Sequence, residues 1–444
     1  MADTAVATPP KTKKDPSRTM SAAAAAVCDQ IVSPDTYAHM NALDAAFKRL
    51  RDEDPLAWCE PEAFRPFWAG TKHADIMEVS RQNQRFTNGV REMLCYAEAE
   101  QKVYAQTGGP HLLKTLVQLD DPMHYKLRHL TQDWFMPHKV KTRQDAINKI
   151  AKEFVDRMED MGGECDFQQD IALYYPLRVI MQILGVPVED EPMMLKLTQE
   201  IFGAQDPDLM RDKELLGDGD ADRGLASIQE TLAQFFMYFT NITADRRANP
   251  KDDVSTVIAN GLVDGEPIGQ LEAMSYYIIV AAAGHDTTSA STGGGVLGML
   301  RNPSELKKML ADPAAHSRTA VDEAIRWTTP VKHFMRTAQD DYELRGKKVL
   351  KGESLLLCYP SGNRDEDVFD KPFEFRVDRS PNKIISFGHG GHMCLGMHLA
   401  RLEMQAIYEE LFSRVKSIEL AGEPTFIRAN FVGGPKSIPV RYKF

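Results

Sequence analysis

Apolar side chains recur every three or four residues over much of this chain, which is the spacing of helices with one buried face. Residues 36–52 show this spacing, and Pro55 is placed to end the helix predicted there. Residues 146–247 repeat the pattern with short interruptions and predict several successive helices. Residues 58–69 hold two short runs typical of strands. The pattern predicts a mainly α fold with a smaller β-rich part.

The segment 271–300 departs from this pattern because residues 276–283 are apolar on every side. A helix of that kind is expected to run through the interior of a protein. Residues 284–292 then turn abruptly polar, and burying their side chains without partners would cost about 1–3 kcal/mol each. The segment predicts a central helix whose buried polar residues have a functional role. A buried strand with residues 284–292 as its exit loop is the alternative.

A glycine-rich turn at residues 387–396 surrounds one cysteine, Cys394. Gly388, Gly390 and Gly391 allow positive φ and a close approach of the backbone to a flat partner. Apolar residues recur at helical intervals after Cys394, so it is expected at a helix N-terminus, where the helix dipole favours a thiolate. Zinc is a poor candidate because no Cys or His has the usual paired spacing with Cys394. From the turn alone, a metal–thiolate site and a structural cysteine both remain open.

Two shorter motifs are ambiguous when each is taken alone. His124 and Arg128 stand four residues apart on one face of the helix that Pro122 would open, and a solvated basic face is the simpler interpretation. Glu323 and Arg326 have the spacing of a helical ion pair, which is common and contributes only a few tenths of a kcal/mol. Both motifs become informative about function only because they precede the cysteine turn in a fixed order along the chain.

Composition narrows the classes of function. The 444 residues are 43% hydrophobic and 26% charged, which is ordinary for a globular protein with a large core. A net charge of −11 argues against nucleic acid as a general partner. The six cysteines lack a disulfide framework, so a reducing cytoplasm is expected. No apolar run approaches the ~20 residues that span a bilayer, so no membrane association is expected.

Taken together, the motifs resemble those of the cytochromes P450. The pattern Phe-x-x-Gly-x-x-x-Cys-x-Gly, which ends at Gly396, resembles the family's haem-binding loop, and Ala283-Gly284-His285-Asp286-Thr287-Thr288 resembles its oxygen-binding signature. His-x-x-x-Arg and Glu-x-x-Arg resemble two further signatures in the family's order. The resemblance implies the cytochrome P450 fold with haem b (iron protoporphyrin IX) as cofactor. Residues 21–444 would form one catalytic domain after a disordered tail at residues 1–20, which lack an apolar face.

The resemblance also implies roles for individual residues. Cys394 would ligate the haem iron, while Asp286 and Thr287 would deliver protons to bound dioxygen. Further haem contacts are expected from His124, Arg128, Gly284, Arg336, Phe387, Gly388, His392 and Gly396. Substrate contacts are expected from Val280, Ala283, Val331, Phe334, Phe431 and Val432.

Other residues are expected to be structural. Glu323 and Arg326 would join Arg379, with Arg376 as the competing third member, to stabilise the fold and the haem loop. Lys332 is expected to face outward, because a lysine in an apolar pocket would be costly.

Two stretches are expected to shape the substrate pocket. The polar residues 88–115 predict a long mobile connection that would roof it, and residues 205–223 predict a loop or a short lid. His285 is expected to point away from the iron, because neighbouring helical residues differ by about 100° in direction.

The implied activity is that of a soluble bacterial-type P450 monooxygenase. One atom of dioxygen would enter a C–H bond of a small hydrophobic substrate, a monoterpenoid or an aromatic hydrocarbon, and the other would leave as water. No Gly-x-Gly-x-x-Gly follows a predicted strand, so electrons are expected from a separate protein. The resemblance implies that this protein is a 2Fe-2S ferredoxin with its reductase, and Arg401 and Lys126 are the candidates for its docking site. A peroxide-driven haem-thiolate enzyme and a non-catalytic haem sensor are the alternatives.

Overall fold

Helices make up most of the fold in the computed structural model, which describes residues 18–210 and 221–444. The helix predicted at 36–52 is divided into two around His39, and the helix predicted at 271–300 is a single continuous element, so the alternative strand is wrong. In chain order the helices are α1 (Ala22–Val32), α2 (Pro34–Tyr37), α3 (Met40–Glu53), α4 (His73–Arg81), α5 (Ala97–Thr107), α6 (Met123–Gln132), α7 (Pro137–Lys141), α8 (Gln144–Asp160), α9 (Tyr174–Leu184), α10 (Glu191–Phe202), α11 (Ala221–Ala248), α12 (Val254–Ala259), α13 (Gln270–Leu300), α14 (Pro303–Ala311), α15 (Pro313–Thr328), α16 (Tyr359–Gly362) and α17 (Met397–Arg414).

Strands form the smaller, β-rich part. The main sheet has the order β1-β2-β10-β7-β3, in which β10 runs parallel to β2 and the other pairs are antiparallel. A second sheet has the order β11-β14-β4, and β12 and β13 form a hairpin. The predicted class, mainly α with a smaller β-rich part, is confirmed. The strands are β1 (Leu56–Cys59), β2 (Phe67–Gly70), β3 (Phe86–Thr87), β4 (Glu164–Asp166), β5 (Leu262–Val263), β6 (Glu266–Pro267), β7 (His333–Ala338), β8 (Tyr342–Leu344), β9 (Lys347–Val349), β10 (Ser354–Cys358), β11 (Ser417–Leu420), β12 (Thr425–Phe426), β13 (Pro435–Ser437) and β14 (Pro439–Lys443).

Helix α13 runs through the main hydrophobic core, as its apolar first half predicts. Its glycines allow neighbouring helices to approach closely. A Cβ at Gly294 would lie 2.0 Å from the Thr328 hydroxyl of α15, and a Cβ at Gly295 would lie 2.1 Å from the Tyr408 hydroxyl of α17. Any side chain at these positions would force the helices apart, so the glycines serve packing.

A buried cluster around Glu323 joins α15 to the segment that precedes the cysteine turn. The Glu323 carboxylate accepts hydrogen bonds from Arg326 Nε at 2.7 Å and from Arg379 Nε at 3.0 Å. Arg376 contributes only its backbone N–H, so the structure selects Arg379 as the third side chain. Burial alone would raise the pKa of Glu323, but the two guanidinium groups outweigh it and the pKa lies below its ordinary value.

The long mobile connection predicted at residues 88–115 is wrong, because this stretch contains helix α5. No residue of α5 is buried, so the helix has no hydrophobic face for the sequence pattern to reveal. Ion pairs of Glu100 fix the position of this helix instead. The Glu100 carboxylate accepts hydrogen bonds from Arg65 and from Arg91, which precede the helix.

Lys332 does not face outward as predicted. Only 2% of it is exposed, and its amine donates a hydrogen bond to the Thr328 carbonyl at 2.9 Å. Its backbone N–H is bound to the Phe431 carbonyl at 2.8 Å, which holds this part of the chain inside. Burial lowers the pKa of Lys332 to about 7.

The ends of the described segments bear on two further predictions. Residues 1–17 of the predicted tail and residues 211–220 of the predicted lid lie outside the described residues. Arg18 is described, and it forms an ion pair with Glu353 at 3.0 Å and lies 4.7 Å from the centre of the Trp68 ring. Across residues 18–210 and 221–444, no helix combines the length and the apolar character needed to cross a lipid bilayer.

Candidate active site

One face of α13 borders an interior space. Apart from Gly284, the middle of this helix is buried except at Ile279, Ala283, Asp286 and Thr287, which are partly accessible. Their spacing of four, seven and eight residues places them on one side of the helix. The polar residues predicted to do chemistry therefore meet a space enclosed by the fold.

The cysteine turn lies near the same helix. Cys394 is accessible although protein surrounds its thiol, so it also borders an interior space. Arg128 of α6 is near enough to both the Cys394 thiol and the Tyr276 hydroxyl of α13 for them to raise its pKa against the effect of burial, so the turn and the helix border one site. The predicted helix after the cysteine is α17, whose N-cap is Gly396.

The surroundings of the Cys394 thiol act on its pKa in opposite directions. Burial is the largest influence and raises the pKa. The backbone N–H of Gly396 and the positive charges of Arg128 and Arg401 favour the thiolate and oppose that rise. A cation bound at the sulfur would complete this stabilisation, because thiolate is the form that ligates metals.

Four basic side chains from different parts of the chain converge beside the turn. The rings of His124 and His392 lie with their centres 3.9 Å apart. Burial lowers the pKa of His392, and the neighbouring His124, Arg336 and Arg128 lower it further, to about 2. The sequence predicted all four as haem contacts, and the fold brings them together from α6, β7 and the cysteine turn.

These side chains have few partners of their own. Arg336 is buried, and among the described residues its guanidinium donates a hydrogen bond only to the Met335 carbonyl, at 2.8 Å. Arg128 forms no hydrogen bond or ion pair with any side chain in the described ranges. His124 has a long contact of 3.4 Å with Asp121. Arg128 and Arg336 thus hold positive charge at least partly out of water without a side-chain partner among the described residues, which is costly, so the cluster fits a group with two carboxylates, as the propionates of haem provide.

The glycines of the site have structural reasons beyond the predicted approach to a flat partner. A Cβ at Gly284 would lie 2.8 Å from Ile180 Cγ1, so this glycine allows α13 to pack against α9. Gly390 has a φ of +74°, and a Cβ there would lie 2.2 Å from the Ser80 carbonyl of α4. Gly388 has a φ of +67° with room around it.

The acid and alcohol of α13 differ in their partners. The Thr287 hydroxyl donates to the Ala283 carbonyl at 2.8 Å, which leaves its lone pairs free to accept. Asp286 Oδ1 lies 3.4 Å from His285 Nδ1, while Oδ2 is buried and finds no hydrogen-bond partner in the described part of the chain. His285 is buried, and its Nε2 lies 2.8 Å from the Leu173 carbonyl, so its ring packs toward Leu173.

The predicted substrate residues come from α13, the start of β7 and the tip of the β12–β13 hairpin. Val331 and Val432 form an isolated β-bridge, and the rings of Phe334 and Phe431 are 5.5 Å apart. Phe202, at the end of α10, lies 6.3 Å from Phe431 and was missed by the sequence reasoning. Phe202 and Phe431 are far apart in the sequence, so no local pattern could have predicted that the fold brings them together.

The two predicted docking cations are already paired. Arg401 Nε lies 2.7 Å from Asp322 Oδ1, and Lys126 Nζ lies 2.5 Å from Asp264 Oδ2. Neither side chain therefore adds an uncompensated positive charge to the surface.

Comparison with known proteins places the chain in a family. Residues 317–436 match the family described as Cytochrome P450. The chain is 45% identical over 414 residues to Cytochrome P450-terp of a Pseudomonas species, which covers 93% of this chain and 96% of that protein. It is 28% identical to linalool 8-monooxygenase of Pseudomonas putida, over 92% of this chain and 97% of that protein.

Solved structures agree with this placement. The crystal structure of CYP108D1 from Novosphingobium aromaticivorans superposes with a TM-score of 0.86 at 44% identity, covering 94% of this chain and 98% of that one. A Mycobacterium marinum cytochrome P450, CYP268A2 in complex with pseudoionone, superposes with a TM-score of 0.83 at 32% identity, over 92% and 97% of the two chains. The chain therefore belongs to the cytochrome P450 family of monooxygenases, whose cofactor is haem b with a thiolate ligand to the iron.

Proposed function

We propose that this enzyme inserts one atom of dioxygen into a C–H bond of a small hydrophobic substrate, a monoterpenoid or an aromatic hydrocarbon. The observation that carries the proposal is the convergence of the Cys394 turn, four basic side chains and the accessible Asp286–Thr287 pair on one interior site. Similarity to linalool 8-monooxygenase supports the terpenoid class. Haem bound through Cys394 would supply the activation of dioxygen.

The residues around the turn would hold the cofactor. Cys394 is the proposed iron ligand, and the Gly396 N–H favours its thiolate form. His124, Arg128, Arg336 and His392 are proposed to bind the haem propionates, whose carboxylates would give Arg128 and Arg336 the side-chain hydrogen-bond partners that neither has among the described residues. Phe387, Gly388 and Gly284 are proposed to line the haem.

Asp286 and Thr287 are proposed to manage protons. Inserting one oxygen atom and releasing the other as water consumes two electrons and two protons. Asp286 Oδ2 is free to carry a proton, because no described residue bonds to it. The Thr287 hydroxyl is oriented by its bond to the Ala283 carbonyl, so its oxygen can accept a proton donor on the accessible side of α13.

The walls proposed for the substrate are apolar. They would be formed by Val280, Ala283, Val331, Phe334, Phe431 and Val432, with Phe202 as an addition from the fold. Such walls favour a compact hydrocarbon skeleton and offer few hydrogen bonds, which agrees with a substrate recognised by shape.

Electrons are proposed to come from a 2Fe-2S ferredoxin with its reductase, since the sequence carries no dinucleotide-binding fingerprint of its own. All six cysteines are free thiols in the structure, which supports a reducing compartment such as the cytoplasm.

The decisive experiment combines binding with turnover. Haem-loaded protein is titrated with linalool, pseudoionone and small aromatic hydrocarbons, and the low- to high-spin shift of the haem is recorded. Compounds that shift the spectrum are then incubated with ferredoxin, reductase and ¹⁸O₂. A hydroxylated product carrying ¹⁸O supports the proposal. Product formed equally well from peroxide alone would favour a peroxide-driven enzyme, and no oxygen consumption with any binding compound would favour a sensor.

A further inference from the structure

His285 of α13 makes contacts that the proposed function does not use. The side chain is fully buried, so its two ring nitrogens must find their partners within the protein. Nε2 lies 2.8 Å from the carbonyl of Leu173, the residue at which α9 begins. Nδ1 lies 3.2 Å from the Thr198 hydroxyl of α10 and 3.4 Å from Asp286 Oδ1. The ring therefore connects α9, α10 and α13 beside the acid of the candidate active site.

The hydrogen atoms of the His285 ring follow from these partners. A carbonyl can only accept, so Nε2 carries a hydrogen. The Thr198 hydroxyl has a single hydrogen and donates it to the Leu195 carbonyl at 3.0 Å. Nδ1 then faces two oxygen atoms that offer only lone pairs, one of Thr198 and one of Asp286. A neutral ring has one N–H, so these contacts require the second N–H of an imidazolium.

The arrangement with a neutral ring is less favourable. If the Thr198 hydroxyl turned toward the ring instead, Nδ1 would accept its hydrogen and would carry none itself. The lone pair of Nδ1 would then face the Asp286 carboxylate inside the protein, where electrostatic repulsion is stronger than in water. An imidazolium replaces this repulsion with an attraction between opposite charges.

The electrostatic surroundings agree with a charged ring. Burial alone would lower the pKa of His285, but the Asp286 carboxylate and the Leu173 carbonyl outweigh it, and the pKa lies above its ordinary value. Among the described residues, Asp286 is the charged group that acts on this ring, because α10 and the start of α9 present a hydroxyl and a carbonyl. His285 and Asp286 thus form a pair of opposite charges.

We propose that His285 is a positioning residue for Asp286, which it holds by Oδ1 in its doubly protonated form. Leu173 and Thr198 fix the ring, and the ring in turn fixes the carboxylate in one orientation. The inference rests on the proposed function, in which Asp286 manages protons. A side chain supported in this way is held close to its working geometry. His285 acts only through Asp286 and needs no contact with the substrate.

The first experiment measures the protonation of the ring and does not depend on turnover. Protein with ¹⁵N-labelled histidine is loaded with haem and studied at pH 7 as the diamagnetic reduced carbon-monoxide adduct. The His285 signals are assigned by their loss in His285→Gln. We expect both ring nitrogens of His285 to be protonated in the wild type. In Asp286→Asn, which lacks the counter-charge, we expect a neutral ring with its hydrogen on Nε2.

His333 provides an internal reference in the same spectrum. It is also buried, but its Nε2 accepts a hydrogen bond from the Leu94 backbone N–H at 3.0 Å, and burial lowers its pKa to about 3. Its ring is therefore expected to be neutral, with its hydrogen on Nδ1. A His285 ring that is neutral in the wild type, or that stays doubly protonated in Asp286→Asn, would overturn the inference.

The second experiment measures the consequence for the reaction. His285→Gln removes the charge and keeps a hydrogen-bonding group, whereas His285→Phe removes both. Thr198→Val removes only the hydroxyl that helps to fix the ring. His73→Phe is the matched control, because it breaks a similar 2.8 Å contact between a ring nitrogen and a carbonyl on α4. The reduced carbon-monoxide spectrum of each haem-loaded variant first establishes that it is folded.

We expect both His285 variants to form product about ten- to a hundredfold more slowly at unchanged substrate-induced spin shift, because Asp286 is no longer held in place. Thr198→Val should show a smaller loss, and His73→Phe should show none. Equal turnover in His285→Gln and His73→Phe would overturn the inference. If neither His285 variant folds, the spectra of the wild type and of Asp286→Asn decide. If His285 is doubly protonated as expected but no compound is hydroxylated, it is the proposed function that fails.

Discussion

The guanidinium of Arg401 lies 4.6 Å from the centre of the Phe387 ring, so the first turns of α17 are held against the start of the cysteine turn. The same guanidinium is bound to Asp322 of α15 at 2.7 Å. The Arg401 side chain thus connects the cysteine turn to α15, the helix that carries Glu323 and Arg326 of the buried cluster. This contact gives Arg401 a structural role that the sequence did not predict.

Arg401→Ala should therefore loosen the turn around Cys394. The lost cation–π contact and ion pair together correspond to about 1–2 kcal/mol of unfolding free energy. We expect a lower midpoint in urea and a smaller fraction of the reduced carbon-monoxide adduct with the thiolate-ligated absorption band. Arg441→Ala, which breaks an exposed ion pair on β14, serves as the control. Identical behaviour of the two variants would contradict this role.

Glu323→Gln should be strongly destabilising. Removing the carboxylate charge leaves Arg326 and Arg379 buried without compensation, and breaking such a buried pair typically costs about 3–5 kcal/mol. The pKa of Glu323 lies below its ordinary value, so its contribution is present above about pH 4.5 and is lost as the pH falls further. Denaturant unfolding at pH 7 and at pH 4 measures both effects.

The matched variant for this comparison is Glu53→Gln, which removes an exposed i, i+4 ion pair on α3. It should change the unfolding free energy by no more than about 0.5 kcal/mol. A loss as small as this in Glu323→Gln would mean that the buried cluster contributes little to stability.

Lys332→Met should stabilise the protein at neutral pH. The folded-state pKa of Lys332, about 7, is below its ordinary value, so the unfolded chain holds more protons and stability rises with pH between about 7 and 10.5. Methionine removes the cost of burying the amine, and we expect a gain of about 1–4 kcal/mol at pH 7 that shrinks toward pH 10. Thermal or urea unfolding across this range provides the measurement.

Lys416→Met is the control for that experiment, because this lysine is exposed and its amine donates to an oxygen of the last residue, Phe444. Its stability should follow the wild type at every pH. A Lys332→Met variant that is less stable at pH 7, with unchanged pH dependence, would show that the amine is needed for its bond to the Thr328 carbonyl.

Asp286→Asn and Thr287→Ala should affect different parts of the reaction. Asp286→Asn removes the group proposed to carry the proton, and we expect turnover to fall by about two orders of magnitude at unchanged substrate-induced spin shift. Thr287→Ala keeps the acid but loses the oriented hydroxyl, so electrons should be consumed with less product and more peroxide. Thr240→Ala, which removes a similar hydroxyl–carbonyl bond on α11, is the control. It should change neither the turnover rate nor the amounts of product and peroxide formed per electron consumed.

Much of the fold and of the site follows from local patterns. The apolar run of α13, its abrupt change at Gly284 and the glycine-rich turn around Cys394 are continuous in sequence, so they predicted the central helix and the cysteine loop correctly. Hydrophobic spacing failed for α5, which buries no residue and is held by Glu100 through ion pairs. The expected cost of burying a lysine gave the wrong prediction for Lys332, whose backbone is bonded to the distant hairpin.

The sequence by itself determined the family, the candidate ligand Cys394 and the acid–alcohol pair, because these depend on residue types at short, fixed spacings. Only the tertiary structure decided that Arg379 rather than Arg376 joins Glu323, that Phe202 meets Phe431, and that Gln168 lies against Ser289. Such contacts join residues far apart in the chain. Their geometry is set by packing and by the need to pair buried polar groups, which no local pattern encodes.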